Sequence, residues 1–274
     1  MNNKWVIASF SGGKDSTAMV LRMIEKGEQL DEVICCDTYK EFPAMYRHIE
    51  RVRKVVEEAG VKFTVLRSEK SFDYYMFDHI PKRRMAKYEI EYSGFSWATP
   101  KVRWCTSRMK KDVIKKYLKD LFARYKVTQC VGIAADEEYR LKRKNNQEDG
   151  RRHPLVEWGW NEEKCLEYCY KRGFDWEGLY EIFRKEKGRC PRVSCWCCPL
   201  QSLEDLRILR KNFPDLWEEL RNMDKRTWRT FTFRYTVEEL EQRFAFEEER
   251  IKQGLPIRGK NFFEQLNERL NRNR

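Results

Sequence analysis

No apolar run in the chain approaches the roughly 20 residues needed to span a bilayer, so a helical membrane anchor is not expected. The first residues lack the apolar core of a secretory signal, and the expected location is therefore cytoplasmic. Internal repeats and low-complexity segments are also missing, leaving one large domain or one domain with a smaller cap as the expected organisation. Ten cysteines in a reducing compartment argue against a disulfide framework and for metal binding or catalysis. What is present points to a real core, with a hydrophobic share of 41% and nine tryptophans. Charged residues reach 36% and the net charge is +12, which favours a polyanionic partner, although a lysine-rich soluble surface would give the same balance.

The chemistry centres on Val6-Ile7-Ala8-Ser9-Phe10-Ser11-Gly12-Gly13-Lys14-Asp15-Ser16. An apolar, β-favouring run enters this stretch, and Ser16-Thr17-Ala18-Met19-Val20-Leu21 leaves it with helical character. A strand, a two-glycine turn and a helix start leave backbone N–H groups available to phosphate oxygens. Gly12 and Gly13 let the backbone approach oxygen atoms that a Cβ would hold away. Ser11 and Ser16 add hydroxyl donors, and Lys14 adds a point charge. The spacing is neither the Walker pattern nor GxGxxG.

Further strands are predicted over residues 31–36, 61–66 and 127–133, with amphipathic helices from Pro43 and through Val113, Tyr117, Leu118 and Leu121. This alternation predicts a doubly wound, mostly parallel α/β sheet with ligands at the carboxyl ends of its strands. Beyond it the chain reads as helical, through residues 162–171 and 176–187 and then from Ser202 onward. The expected division is a nucleotide-binding α/β domain over residues 1–160 and a helical, cysteine-containing region over 161–274.

Ser-Gly-Gly-Lys-Asp-Ser after a first strand resembles the pyrophosphate loop of the ATP-pyrophosphatases, the adenine nucleotide alpha hydrolase-like superfamily. Within it, three more segments resemble the phosphoadenosine-phosphosulfate (PAPS) reductase-like family. The first is Cys36-Asp37-Thr38 with Glu41, Pro43 and His48, where Tyr39 stands at the family's usual glycine. The second is Cys105-Thr106 followed by Lys110 at a helix start, flanked by Arg103 and Arg108. The third is Gly132 to Arg140, in which Ala134 and Glu138 replace the family's arginine and serine. The resemblance implies that Ser11, Gly12, Gly13, Lys14, Asp15 and Ser16 hold pyrophosphate and that Asp37 and Thr38 contact the nucleoside. It further implies that Arg140 and Lys110 neutralise phosphate charge and that Glu137 or Asp136 helps to hold Mg2+. Lys14, Asp15 and Arg140 are the expected catalytic residues. Pro154-Leu155-Val156-Glu157-Trp158 matches the segment that closes the sheet domain in this family.

Cys190, Cys195, Cys197 and Cys198 place four thiols within nine residues, with Cys195 and Cys198 spaced C-x-x-C before Pro199. Such a group is prone to metal capture and suits either a [4Fe–4S] cluster or Zn2+, completed by Cys190 and Cys105 or by Cys197. The Cys-Trp-x-Cys-Pro pattern resembles that of DNA-phosphorothioation sulfurtransferases, which favours the iron–sulfur reading, with Cys105, Cys190, Cys195 and Cys198 as ligands. Cys105 alone can instead be a sulfur carrier or a buried small residue. Cys165 and Cys169, at i and i+4 on a helix, and Cys35, Cys36 and Cys130 on strands read as core.

The implied activity is an ATP-dependent enzyme that cleaves the α–β phosphate bond, adenylylates an acceptor, and transfers sulfur to a nucleic acid or a small oxyanion. A sulfur-donor protein is an implied partner, and a membrane is not. A PAPS or APS reductase is the second reading, weakened because no cysteine follows Cys198. An ATP sulfurylase would need a GTPase partner, and a non-catalytic nucleotide-binding module of a nucleic-acid or defence complex is a further class. Two stretches mix aromatic and basic residues in the way single-stranded nucleic acid favours. One holds Phe72, Tyr74, Tyr75 and Phe77 with Lys82-Arg83-Arg84 and Lys87; the other holds Lys225, Arg226, Trp228, Arg229, Phe231, Phe233 and Arg234. The first reads more readily as a packed core face with a solvated back, and the second reads equally as a patch that packs the helical part against the sheet.

Overall fold

Val6, Ile7, Ala8 and Phe10 bury β1 (Lys4–Phe10) at the centre of a five-stranded sheet in the computed structural model. Residues 4–80, 93–143, 146–184 and 190–271 are described. The remaining strands are β2 (Glu32–Asp37), β3 (Lys62–Arg67), β4 (Lys126–Val131) and the two-residue β5 (Arg151–Arg152). Every pair is parallel, in the order β3-β2-β1-β4-β5, so the winding reverses between β1 and β4. Loops leaving the carboxyl ends of those two strands diverge to opposite sides and open a crevice, the usual ligand position in such sheets.

Helices cover the sheet. The helix α3 (Asp112–Phe122) lays Leu118 and Leu121 on Ile7, Ile34, Leu66 and Val127. Helices α1 (Lys14–Glu25) and α2 (Pro43–Glu58) follow β1 and β2 as the parallel crossovers require. A short helical turn, Pro154–Glu157, follows β5, and helix α4 (Glu162–Tyr170) then packs on α1, burying Cys165, Leu166 and Cys169. The Cys169 thiol reaches the Lys14 carbonyl at 3.6 Å.

The chain divides into two compact units, and the division is not the single boundary expected at residue 160. Met1–Phe72 joins Trp104–Trp196, and Asp73–Arg103 joins Cys197–Arg274. Residues 161–196 belong with the sheet because Cys165, Cys169, Trp176 and Tyr180 bury their side chains, and Trp176 and Tyr180 bond to the loop before α1. β5 was not expected. Its arginines carry no strand pattern, and Arg152 is held instead by Glu28 and Glu157. The predicted helix over 176–187 is a 3-10 turn at Trp176–Gly178 and a short helix at Leu179–Ile182, broken by left-handed Glu177 and Gly178.

In the second unit, Leu203–Asn212, Pro214–Asp224, Val237–Lys252 and Lys260–Arg269 are helical. Ser202 with Asp205, and Thr236 with Glu239, form reciprocal capping boxes at two of their starts. Glu247 is buried between Arg207, at 2.6 and 3.0 Å, and Arg243, at 2.8 Å. Tyr74–Asp78 forms one π-helical turn, and Gly94 to Pro100 is irregular. The basic run Lys82-Arg83-Arg84 with Lys87, the predicted helix end at Lys187, and the last residues of the basic tail lie outside the described residues. Among the described residues, no helix is long and apolar enough to cross a membrane.

One buried charge stabilises the α3 face. The Glu32 carboxylate is fully buried and accepts bonds from Thr64, Tyr117 and Lys62. Burial alone would raise its pKa, but these donors, led by Lys62, hold it below the ordinary 4.5. A lowered folded pKa gives stability that is present above the ordinary value and lost as the pH falls below it. Glu32→Gln is expected to cost about 2 kcal/mol at neutral pH and to flatten the acid limb between pH 5 and 3. Urea midpoints across that range check it; an unchanged midpoint at pH 7 would contradict it.

Candidate phosphate-binding site

The turn after β1 depends on two glycines in different ways. Gly12 adopts φ +78°, and a Cβ there would meet Met45 Sδ at 2.8 Å and Ile49 Cγ1 at 2.9 Å, both on α2. Gly132, just after β4, lies so near the start of α1 that a Cβ would come within 3.1 Å of Ser16 N and Cα. Gly13 caps α1 in extended conformation, so the cap residue itself offers no side-chain acceptor to the helix start. The loop is braced internally, with Ser16 Oγ donating to Gly13 O at 3.0 Å and accepting from Ser11 N at 3.1 Å.

The segment after α4 holds this loop from outside. Trp176 Nε1 donates to Gly12 O at 2.8 Å, and Lys14 N donates to the Tyr180 hydroxyl at 3.0 Å. His48 stacks on Trp176 at 4.2 Å and bonds Thr17 Oγ1 at 3.0 Å. Burial, with Arg51 adding to it, pushes the His48 imidazole down to about 3, so it is neutral at neutral pH. Its part is structural.

A cavity of about 240 Å³ opens over the loop, lined by Ser11, Gly13, Lys14, Asp15, Ser16, Gly132, Glu137, Arg140, Glu162, Tyr180, Arg192 and Val193. Its charges alternate. Lys14 Nζ donates to Glu162 at 2.8 Å and lies 3.4 Å from Asp15. Arg192 bonds Glu162 twice at 3.1 Å and also bonds Glu137, which in turn holds Arg140. Burial alone would lower the Lys14 pKa, but Asp15 and Glu162 raise it above its ordinary value. Burial lifts Asp15 to about 6 against the pull of Lys14, with Glu162 and Glu137 adding to the rise. Glu162 is held below its ordinary value: burial opposes this, and Arg192 and Lys14 prevail. One carboxylate oxygen each from Asp15, Glu137 and Glu162 falls within 4.8 Å of the others, and Asp15 Oδ1 is buried with no hydrogen-bond partner in the described structure. Three clustered carboxylate oxygens with an orphan lone pair fit a hard, oxygen-loving cation such as Mg2+.

Most of the expected loop residues thus line one cavity, together with Glu137 and Arg140. Asp136, the alternative to Glu137, instead accepts from Glu162 N at 3.1 Å and so helps to start α4. Gly12 lies behind the cavity as the turn-former. Asp37 and Thr38 do not line it. Asp37 accepts from Tyr39 N at 2.8 Å and Tyr46 Oη at 3.1 Å and pairs with Arg67 at 3.2 Å, while Thr38 is buried. Tyr39, at the position of the family's glycine, adopts φ +61°, a conformation costing an L residue about 1–2 kcal/mol. Lys110 is half-buried 3.9 Å from Glu41, with Cys195, Cys36 and Cys105 in its electrostatic surroundings; burial lowers its pKa and these groups outweigh that to raise it.

The thiols have distinct neighbours. Cys190 stands by Lys14, Glu163 and Glu162, and burial pushes it up to about 12, with Lys14 opposing. Cys105 and Cys195 stand by Lys110. Cys198 belongs to the other unit. Glu162, Arg192 and Tyr180 carried no motif. Glu162 and Glu163 after Asn161 read as an ordinary acidic first turn, and Arg192 lies among cysteines that claim the attention.

A parallel α/β sheet with a phosphate loop at its switch point defines a nucleotide-binding class of protein. The phosphoadenosine phosphosulfate reductase domain matches residues 5–201, and the chain belongs to that family. It is 26% identical over 226 residues to the uncharacterised protein MJ0066 of Methanocaldococcus jannaschii, covering 80% of this chain and 41% of that protein. A second protein of that organism, MJ0973, is 26% identical over 227 residues, 82% of this chain and 48% of the relative. The nin region protein ORF290 of Escherichia phage lambda is 31% identical over 150 residues, 50% of this chain and 51% of the relative. The chain thus spans about half the length of the curated relatives it matches. Among solved structures, the U34-tRNA thiolase NcsA from Methanococcus maripaludis, with its [4Fe–4S] cluster, gives a TM-score of 0.40 at 17% identity, covering 82% of this chain and 73% of that one.

Gly12→Ala forces a side chain into left-handed backbone and against Met45 and Ile49. The expected loss is about 2–4 kcal/mol in chemical denaturation, together with weaker nucleotide binding. A variant as stable as the parent would contradict this account of the turn.

Proposed function

We propose that the chain is an ATP-dependent enzyme that cleaves the α–β phosphate bond and adenylylates an acceptor on the way to sulfur transfer. The observation that carries this reading is the cavity over the two-glycine loop, where three cations and three carboxylates meet at the sheet's switch point. The start of α1 and the hydroxyls of Ser11 and Ser16 suit the β- and γ-phosphates. Lys14 and Arg140 would stabilise the charge that develops on departing pyrophosphate, and Arg192 is a third cation for the same task. Asp15, Glu137 and Glu162 would hold Mg2+, which when bound screens phosphate charge. In these terms an acceptor oxygen attacks the α-phosphorus, the bond to the bridging oxygen breaks, and pyrophosphate leaves with the electron pair. The outer sulfur of a donor persulfide then displaces AMP from the activated acceptor, a nucleic acid or a small oxyanion, and a second thiol of the donor attacks the inner sulfur, forming a disulfide and leaving the transferred sulfur on the acceptor as a thiolate.

Asp37, Thr38 and Lys110 are proposed to act around the nucleoside and α-phosphate side of the site. Cys105, Cys190, Cys195 and Cys198 are the proposed thiolates of a [4Fe–4S] cluster, with Lys110 offsetting negative charge beside Cys105 and Cys195. When bound, such a cluster would supply a place for sulfur in transit.

ATP labelled at the α- and γ-phosphates distinguishes the bond cut. AMP and pyrophosphate are the expected products, and Lys14→Ala is expected to lower their formation at least about a hundredfold. ADP and inorganic phosphate, or unchanged turnover in the variant, would overturn the proposal.

A further inference from the structure

From Lys225 to Tyr235 the chain carries four cations, Lys225, Arg226, Arg229 and Arg234, and no acidic residue. Asp224, just before it, is engaged elsewhere: it accepts from Trp97 Nε1 at 2.6 Å and Val237 N at 2.7 Å. This segment has no regular helix or strand, yet it is pinned at many points within the second unit. Thr227 Oγ1 donates to Asp224 O at 2.9 Å, Trp228 Nε1 to Gly94 O at 3.3 Å, and Arg229 N to Ser96 Oγ at 3.1 Å. Thr232 and Tyr235 close a turn through bonds of 3.0 Å in both directions. Phe231 points inward and packs edge-on against Trp97 at 4.8 Å.

Phe233, two residues on, points the other way and is 98% exposed. Lys225, Arg226, Thr230 and Arg234 are exposed as well. Isolated exposed apolar side chains are common on protein surfaces. This one is a whole aromatic ring on a pinned turn, flanked by cations along the same segment. A rigid ring costs little to order on binding, and the cations complement a phosphate chain.

We infer that the Lys225–Arg234 segment is a binding surface for single-stranded nucleic acid, with Phe233 as a base-stacking platform and Lys225, Arg226 and Arg234 along the backbone. Stacking on an aromatic ring accepts any base, so the surface is expected to be tolerant of sequence. Duplexes keep their bases stacked inside and offer Phe233 no face. The inference concerns the second unit alone and goes beyond the phosphate-site proposal, since it supplies a surface for the polyanion that the net charge of +12 favours.

Fluorescence anisotropy of the full chain with labelled oligo(dT), oligo(U) and a duplex of equal length tests it. The single strands are expected to bind more tightly than the duplex, and a preference between the two single strands identifies DNA or RNA. Phe233→Ala should weaken single-strand binding about 5- to 150-fold, while Phe233→Trp keeps it. Lys225→Ala should lower the salt slope by about 0.7. Because Phe233 makes no buried contact, its removal should leave the thermal midpoint and basal pyrophosphate release unchanged. Equal binding by Phe233→Ala and the parent, a preference for the duplex, or capture by phosphatidylserine vesicles with no oligonucleotide binding would each overturn the inference. Lys14→Ala separates the two proposals: it should abolish pyrophosphate release while leaving oligonucleotide affinity intact.

Discussion

Charge pairing in a partly buried cavity is the constraint on which the rest of the sheet unit depends. Lys14 and Glu162 are each almost completely buried, and neither would be stable there alone, since an unpaired buried charge costs several kcal/mol. The chain meets this constraint by alternating signs through Asp15, Lys14, Glu162, Arg192, Glu137 and Arg140. A phosphate site made only of cations would repel itself when empty. Here each cation is paired with a carboxylate, and in the proposed reaction those carboxylates would pass to a divalent cation when a nucleotide arrives. Burial raises the Asp15 pKa, and the neighbouring Glu162 and Glu137 carboxylates add to that rise against the pull of Lys14.

Precise placement of these groups needs a rigid surround, and the sheet supplies it. β1 and β4 end side by side, and Gly132 lets the end of β4 touch the start of α1. The Trp176–Tyr180 segment then fixes the loop from the far side, with His48 as a neutral spacer between Thr17 and Trp176. Glu162, Tyr180 and Arg192 therefore line the cavity beside the loop, and this part of the chain belongs with the sheet unit. Arg192, lying between Cys190 and Cys195, joins the cysteine segment to the phosphate cavity through Glu137 and Glu162.

What was legible in the sequence was local. β1, the loop, α1, β2 and α2 follow from short-range pattern and turn chemistry, and they begin within two residues of expectation. Ser11, Gly13, Lys14, Asp15, Ser16, Glu137 and Arg140 line one cavity. Glu162, Arg192 and Tyr180 were illegible because their roles arise from contacts made across 30 to 166 residues of chain. β5 was illegible because Arg151, paired with Glu148, and Arg152, paired with Glu28 and Glu157, look like surface polar residues. Tyr39 shows the reverse case: standing where the family pattern has glycine, it adopts left-handed backbone, with its N–H bonded to the Asp37 side chain.

The central claim is that a divalent cation at Asp15, Glu137 and Glu162 frees Lys14, Arg140 and Arg192 for phosphate. Isothermal titration of α,β-methylene-ATP into the full chain, with Mg2+ and after its removal by chelation, tests this most directly. Binding at least about tenfold tighter with Mg2+ is expected, and that gain should vanish in Glu162→Gln, where one cation ligand is lost. Equal affinity with and without Mg2+, or an unchanged Mg2+ gain in Glu162→Gln, would contradict the account.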